Sequence, residues 1–552
     1  MQQNVNVNAK RWLKKEIKPY NGYIALLTVL NVLATVFSLA FAFLVRYLIN
    51  DASAGNKNGL IFFAILLLAV LFSRILLQAL TGYLAERLCS KIVVQLRLRI
   101  FSKLIHADYA SSQKYHSGEL LNRLTTDIQE VATDSVRFTP MVVSMCVQCV
   151  GAIVALLTID PLFTGIYVVC GGLFAGITAI FRNQIKKRQK AVLQADGQSR
   201  AFMQESLAST LALKSYSAEQ KTQNKAQSFF NAYYQARMKR NVLGSTMNGV
   251  YSILSNFGLV FALVWCGISL LGGNTDYGSI LSVVLLLMQF QQPLSGISAV
   301  IPIYYARLTS GERLQELDAL PSDRIQADNP ISLPFKDIFV NNVQFSYGRE
   351  NVLNNVNFTV QQGETVCFTG SSGAGKSTIF KLLLNVYSPT GGSIQINGQP
   401  LTSKDRRYFA YVPQGNFLFS GTIYENLTFF TDEKDETLLK EKIKKALKIA
   451  CAEFVFDLPE GLNTLLNERG TGLSEGQMQR LNIARAILSN RDILLFDEAT
   501  SALDVQTELA LLENIRSLTN KTCLMITHRQ PALAIADRIL QIEQGTVKEL
   551  KK

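Results

Sequence analysis

The run Gly370-Ser371-Ser372-Gly373-Ala374-Gly375-Lys376-Ser377-Thr378 carries the most explicit chemistry in this chain. Its spacing is G-x-x-x-x-G-K-[ST], and it sits between a strand-like run, Thr365-Val366-Cys367-Phe368, and a helix-spaced run from Ile379 to Leu384. Such glycines let successive backbone N–H groups turn inward around a phosphate, and the dipole of the following helix adds to the attraction. Lys376 is placed to reach β- and γ-phosphates, and Ser377 to ligate Mg²⁺. A strand before and a helix after make an inert glycine-rich turn a poor alternative.

Downstream residues supply what a phosphate loop lacks. Ile493-Leu494-Leu495-Phe496-Asp497-Glu498 reads as a buried parallel strand ending in two carboxylates. Asp497 can hold the Mg²⁺ shell, and Glu498 can orient or deprotonate an attacking water. Asp504 lies just beyond, in Ser501-Ala502-Leu503-Asp504. His528 follows a second apolar strand, Cys523 to Thr527, where it can contact a γ-phosphate or hold the water and Glu498. Gln414, after Ala410-Tyr411-Val412-Pro413, can reach Mg²⁺ and a neighbouring element. Tyr347 offers an aromatic face for a base, although a lone tyrosine there is more often a core or surface packing residue. Leu473-Ser474-Glu475-Gly476-Gln477 opens a helix running through Met478–Leu488, so a second helix N-terminus is available to an anion.

These groups must be positioned by a chain of 552 residues, too long for one domain. It is 48% hydrophobic with a net charge of +13. Nucleic acid is excluded as the reason for that charge, because Lys and Arg cluster beside apolar spans, as in the cytosolic loops of a membrane protein. Six apolar segments lie near 22–49, 60–83, 139–159, 162–181, 250–271 and 280–303, each close to or above the ~20 residues that cross a bilayer as helix. Lys10-Arg11-Trp12-Leu13-Lys14-Lys15 before them reads as an interfacial amphipathic helix. Met1–Tyr20 lacks the apolar core of a signal peptide. Residues 1–18, 84–137 and 182–241 are rich in Lys and Arg, whereas 50–59, 160–161 and 272–279 are nearly free of them. That asymmetry puts the N-terminus, the long loops and the C-terminal half in the cytosol.

The long loops keep a helical period, so spans two to five are expected to continue beyond the bilayer. A helix from about 60 to 105 would reach roughly 65–70 Å. Residues 115–120 and 213–219 read as parts of turns between paired helices. Only Arg46 and Arg74 are charged within the spans, with no Asp or Glu beside them. Arg46 is near enough to an outer surface to snorkel, whereas Arg74 must face water, carbonyls or a ligand. The expectation is a cavity that favours anionic or zwitterionic amphiphiles over permanent cations. Gln148, Asn248, Asn256, Gln289, Gln291 and Gln292 add polarity that either lines a cavity or joins helices. The eight cysteines show neither zinc spacing nor a disulfide framework. The Cys146/Cys149 pair reads as small membrane-core residues, and Cys367 and Cys523 as reduced core residues.

Residues 307–335 lose the apolar runs and gain Pro321, Pro330 and Pro334. From 336 onward strand-like and helical runs alternate, as in an α/β domain. The expected class is therefore a membrane all-α, six-helix domain (1–320), a linker (321–335) and an α/β nucleotide-binding domain (336–552).

With the Leu473–Gln477 motif included, the chain resembles the ATP-binding cassette transporters, specifically half-transporters with the exporter-type (type IV) membrane domain. It is similar to bacterial multidrug, lipid and peptide exporters. The resemblance covers nearly the whole chain. It implies ATP and Mg²⁺ as ligands, with Tyr347, Gly370 to Thr378, Ser474, Glu475, Gly476, Gln477 and Asp504 around the nucleotide. It implies Ser377, Gln414 and Asp497 around the metal, and Glu498, His528 and Gln414 in catalysis. Gly118-Glu119-Leu120, Arg123-Leu124 and Asp127 resemble the family's first intracellular loop, and Glu468-Arg469-Gly470 the segment that touches such loops. Glu475 departs from the commoner glycine; a carboxylate aimed at phosphate would repel it, so it is expected to point away.

One cassette per chain implies a second half-transporter subunit, a homodimer being favoured and a heterodimer the alternative. The implied activity is ATP hydrolysis driving export of an amphipathic drug, lipid or peptide across the plasma or inner membrane by alternating access. The alternatives are import by the same fold, or an ATP-gated channel or regulator. No peptidase-like segment precedes the interfacial helix, so trimming of a peptide cargo is not expected.

Overall fold

Apolar runs of this length leave their backbones no partner in hydrocarbon except the helix itself, and the helices form where those runs lie. The computed structural model describes residues 2–273, 275–323, 334–348, 350–415, 417–431, 433–467, 472–518 and 520–550. They fall into two compact units, one comprising 1–101 and 117–319, the other 102–116 and 320–552.

In the first unit, α1 (Gln2–Ile17) leads into α2 (Asn21–Ser53) and α3 (Lys57–Ile105). The short α4 (Tyr109–Ser112) lies in the 102–116 insert of the second unit. Back in the first unit, α5 (Ser117–Asn122) and a π-turn over Arg123–Asp127 precede α6 (Ile128–Ile159). Then come α7 (Pro161–Ala208), α8 (Thr210–Ser215), α9 (Glu219–Leu271) and α10 (Tyr277–Asp318). The helices α2, α3, α6, α7, α9 and α10 match the six expected spans. Among the described residues, four stretches are long and apolar enough to cross a membrane: 9–53, 57–105, 117–159 and 219–271. At 49 residues, α3 is about 73 Å long, so it extends well past a bilayer as its sequence period predicts. The turns expected at 115–120 and 213–219 fall at 113–116 and 216–218.

Short connections are secured by their own caps. Asp160 accepts from Phe163 N at 2.9 Å, with Pro161 following it. The same carboxylate accepts from Trp265 Nε1 at 2.7 Å, and Asp276 accepts from Ser279 N at 2.6 Å at the start of α10.

Asp276 also corrects the expectation for Arg46, whose guanidinium lies 3.1 Å from its carboxylate. The partner was hidden because it stands 230 residues away, in a connection outside the spans. Three of the polar span residues take helix partners. Gln289 donates to Ser38 O at 2.8 Å, Gln291 to Tyr167 Oη at 3.4 Å and Asn256 to Ser252 O in its own helix. The side chains of Asn248 and Gln292 lie outside the described ones.

The Gly118–Asp127 segment is tied to α10 by ion pairs. Buried Arg123 bridges Glu119 at 2.7 Å and Glu316 at 2.8 Å, and Asp127 faces Arg313 at 3.4 Å.

The second unit is built around a six-stranded sheet. Its strands are β3 (Thr365–Thr369), β6 (Phe409–Val412), β9 (Ile493–Asp497), β10 (Thr522–Ile526), β11 (Arg538–Glu543) and β12 (Thr546–Leu550), in the order β12-β11-β3-β10-β9-β6. A four-stranded sheet, β2-β1-β4-β5, comprises β1 (Asp337–Tyr347), β2 (Glu350–Gln361), β4 (Gly391–Ile396) and β5 (Gln399–Pro400). A small ribbon pairs β7 (Gly421–Thr422) with β8 (Leu465–Leu466). Parallel pairing of β3, β10 and β9 buries both faces, which is why these strands read as unbroken apolar runs. One face packs on α11 (Lys376–Leu383) and the smaller sheet. The other packs on α13 (Glu436–Ile449), α14 (Glu475–Leu488) and α15 (Val505–Arg516), with α12 (Ile423–Thr428) and α16 (Gln530–Ile535) at its margin.

The 102–116 insert also packs within this unit. Asp108 N donates to Pro321 O at 2.9 Å, Asp323 N to His106 O at 2.7 Å, and Tyr109 meets the edge of Tyr387 at 5.7 Å. Apolar periodicity along the sequence gives no sign of this placement, because it depends on partners more than 200 residues away.

Candidate nucleotide site

The site grows from the C-terminal ends of adjacent parallel strands, where open α/β sheets place ligands. The phosphate loop leaves β3 and enters α11. Gly370 (φ +142°) and Gly375 (φ +101°) need glycine's freedom. A Cβ at Gly370 would also stand 2.3 Å from Ile542 O. Lys376 is buried, and its Nζ donates to Gly370 O at 2.7 Å and Ser371 O at 2.9 Å, so the ammonium lies inside the loop. Burial pulls its pKa down, and the charges of Glu498 and Asp497 oppose that.

Ser377 Oγ donates to Asp497 Oδ1 at 3.1 Å, and Tyr411 Oη donates to Asp497 Oδ2 at 3.1 Å. Asp497 is buried at the end of β9. Desolvation raises its pKa, with the Ser377 and Tyr411 hydrogen bonds acting the other way. The tyrosine's own pKa is pushed up by burial and by Asp497. A buried carboxylate beside a hydroxyl, with the Gln414 side-chain amide on the neighbouring Glu498, is a hard-oxygen donor set that suits Mg²⁺. Ser377, Asp497 and Gln414 would hold it.

Glu498, the next residue, stands in the left-handed region at φ +51°, which costs a non-glycine residue about 1 kcal/mol or more. Its N–H donates to Ile526 O at 3.0 Å, and Gln414 Nε2 donates to its Oε2 at 2.7 Å. The structure therefore brings Lys376, Ser377, Gln414, Asp497 and Glu498 together. Tyr347 is half exposed, and its Oη lies 3.4 Å from Thr378 Oγ1, with Tyr387 at its edge. His528 is exposed at the end of β10 and forms no hydrogen bond to Glu498 or the loop among the described residues.

Ser474 caps α14. Its Oγ accepts from Gln477 N at 3.2 Å, and Gln477 Oε1 accepts from Ser474 N at 2.8 Å. Glu475 is exposed in the first turn, where a carboxylate suits the helix dipole. Gly476 packs on the segment after β9, since a Cβ there would lie 2.9 Å from Ala502 O. No hydrogen bond or ion pair among the described residues joins 474–477 to 370–378. Asp504 caps α15, accepting from Thr507 N at 3.0 Å, which holds its pKa down. Glu468-Arg469-Gly470 lies outside the described residues.

The sequence reading missed three supports. Tyr411 was passed over as part of an apolar strand. Gln479 is buried and holds Ser501 Oγ and Ala502 N, both at 3.0 Å. Buried Glu508 accepts from Thr500 Oγ1 at 2.7 Å and pairs with Arg529 at 2.8 Å, while Arg529 also donates to Thr500 O and Leu503 O. A charged residue with helical spacing reads as a solvated face until its partner is known.

A phosphate loop, a strand-end carboxylate pair and a capped second helix on this sheet, in the same chain as long apolar helices that precede them in sequence, define a membrane ATPase of the cassette type. The family model described as ABC transporter transmembrane region matches residues 24–294, and the one described as ABC transporter matches residues 353–501. A multidrug resistance ABC transporter ATP-binding and permease protein of Lactococcus lactis subsp. cremoris is 30% identical, over 97% of this chain and 91% of that protein. An ATP-dependent lipid A-core flippase of Aliivibrio fischeri is 27% identical over 96% of this chain and 91% of its own. A bacterial Atm1-family ABC exporter with ATP bound superposes with a TM-score of 0.81 at 26% identity, covering 96% of this chain and 94% of that one. The chain belongs to the ABC transporter family. It is a multi-pass membrane protein and an ATP-driven exporter that works as a dimer, coupling ATP hydrolysis to transport.

Proposed function

We propose that two copies of this chain form a homodimer that exports an amphipathic solute, lipid or peptide across the cell membrane. The N-terminus and cassettes lie in the cytosol. One observation supports this most directly: the cluster of Lys376, Ser377, Gln414, Asp497 and Glu498 is joined in the same chain to membrane helices, and the chain matches an exporter along nearly its full length.

In each site, the phosphate loop and Lys376 bind the phosphates, Tyr347 takes the base, and Ser377, Asp497 and Gln414 would hold Mg²⁺. That ion, when bound, neutralises phosphate charge. Glu498 accepts the proton of the attacking water, and the exposed His528 is free to turn toward the γ-phosphate. The Ser474–Gln477 turn of the other subunit closes the site, presenting a helix N-terminus to the same phosphate. ATP then favours the joined cassettes and hydrolysis the separated ones, a shift driven by differential affinity. With Arg46 neutralised by Asp276, any preference for anionic cargo rests on Arg74.

The test is ATP-dependent uptake into inverted vesicles across paired anionic and cationic amphiphiles, with wild type and Arg74→Gln. Accumulation of at least one amphiphile that requires hydrolysable ATP is expected. Loss of preloaded solute instead of uptake would reverse the direction. Equal responses of both charges, unchanged by the substitution, would remove the role of Arg74.

A further inference from the structure

A cleft of about 290 Å³ opens in the membrane unit between α1 and α10, lined by none of the nucleotide-site residues. Three cations line it: Lys10 and Lys14 from α1, and Arg307 from α10. Its apolar wall includes Leu13 and Leu308, both buried. Among the described residues, no carboxylate lines it.

The cleft is built rather than incidental. Trp12 Nε1 donates to Asp318 Oδ2 at 2.8 Å, and a Cβ at Gly311 would come within 2.9 Å of the Leu13 side chain, so α1 is seated closely on α10. Arg307 is held under two rings, 4.8 Å from the Phe138 centroid and 5.7 Å from that of Tyr304. Its Nε is buried with no hydrogen-bond partner among the described residues. The charge of Asp134 acts on Arg307, with no ion pair between the two among the described residues. Lys10 Nζ lies 5.8 Å from the ring of Tyr304, which lines the cleft. A guanidinium with its buried Nε unbonded, in one cleft with two ammonium groups that outnumber the nearby Asp134 charge, is a receptor for a phosphate.

The position along the helices says which phosphate. The apolar run of α10 ends near 303, and Tyr304, Tyr305 and Arg307 follow at once. On the other wall, Asn21 lines the cleft just before the apolar run of α2 begins. Aromatic and basic residues at the end of apolar spans mark headgroup depth, and a basic amphipathic helix lies in that plane. We propose that this cleft binds the phosphodiester headgroup of an anionic phospholipid from the leaflet facing the cassettes. The acyl chains lie along the Leu13 and Leu308 wall. The lipid is a bound structural ligand, distinct from the transported solute.

The experiment counts lipid rather than turnover. Dimers purified in detergent are incubated with phosphatidylglycerol or phosphatidylcholine of matched chains and weighed by native mass spectrometry. Parallel samples receive inorganic phosphate or glycerol phosphate as competitors. Wild type is expected to retain phosphatidylglycerol about tenfold more than phosphatidylcholine. The double variant Lys10→Gln/Lys14→Gln should lose most of that preference, since each basic group near an anionic headgroup contributes several-fold. Arg307→Gln should do the same. Arg11→Gln/Lys15→Gln, on the same helix but outside the cleft, should keep it. Equal retention of the two lipids overturns the proposal. So does an equal loss in the control variant, which would mean diffuse attraction to a basic helix. Displacement of the lipid by millimolar phosphate or glycerol phosphate would make this a soluble-anion site and also overturn it. If Arg307→Gln does not assemble, the exposed lysine pair decides.

Discussion

Removing Glu508 tests whether the loop after β9 and the segment carrying His528 are held as one piece. The Glu508 carboxylate is 1% exposed and stands between Thr500 Oγ1 at 2.7 Å and Arg529 Nη1 at 2.8 Å. Breaking a fully buried ion pair costs about 3–5 kcal/mol. Here Arg529 is 34% exposed and keeps the Thr500 and Leu503 carbonyls, so its charge is not orphaned. The expected loss for Glu508→Ala is therefore about 1.5–3 kcal/mol. Glu508→Gln retains an acceptor for Thr500 and should lose about half as much. In a unit of this size ~1 kcal/mol moves the melting temperature by about 2–4 °C. The cassette transition of Glu508→Ala should thus fall by roughly 3–12 °C at a fixed scan rate. A cycle with Arg529→Ala should show a coupling of about 1–2 kcal/mol. Because the pair anchors the residue after His528, ATP turnover should fall with little change in the KM for ATP. A shift below 1 °C with additive single and double variants would refute the clamp.

Glu498→Gln should still bind ATP, accumulate closed dimers and lose about 10²–10⁴-fold in hydrolysis, because the amide keeps the shape but cannot take a proton. Near-wild-type turnover of the purified variant would remove Glu498 from the role of base. Ser474→Arg subunits mixed with Lys376→Ala subunits should regain ATPase activity, since one site of the mixed dimer is then intact; with mixed dimers verified, activity no higher than that of the separate variants argues against shared sites. Cys523 is fully buried with its pKa pushed up to about 12, so about one in ten thousand is thiolate at pH 8. Mass spectrometry after iodoacetamide should find Cys523 unmodified in native protein and modified after denaturation; labelling of the native protein would contradict the packing of β10.

The sequence alone determined whatever depends on short range. The phosphate loop announced itself because its function resides in consecutive backbone N–H groups, which only glycines at fixed spacing can arrange. The six spans were legible because each must satisfy its own backbone in hydrocarbon, so length and hydropathy suffice. Asp497 and Glu498 were found because a strand buried on both faces is an uninterrupted apolar run, and its end is where polarity returns.

Only the tertiary structure decided the pairings. Arg46 looked isolated until the connection before α10 brought Asp276 beside it. Glu508 looked like one more charge on a helix until Arg529, from beyond the next strand, met it in the core. Tyr411 became part of the site because parallel pairing of β6 with β9 sets it beside Asp497. Residues 102–116 left their helical neighbours for the second unit through contacts with Pro321, Asp323 and Tyr387. Periodicity along a chain records which face of an element is apolar. It carries no record of which distant element will cover that face, and the energies of buried charge depend on that partner alone.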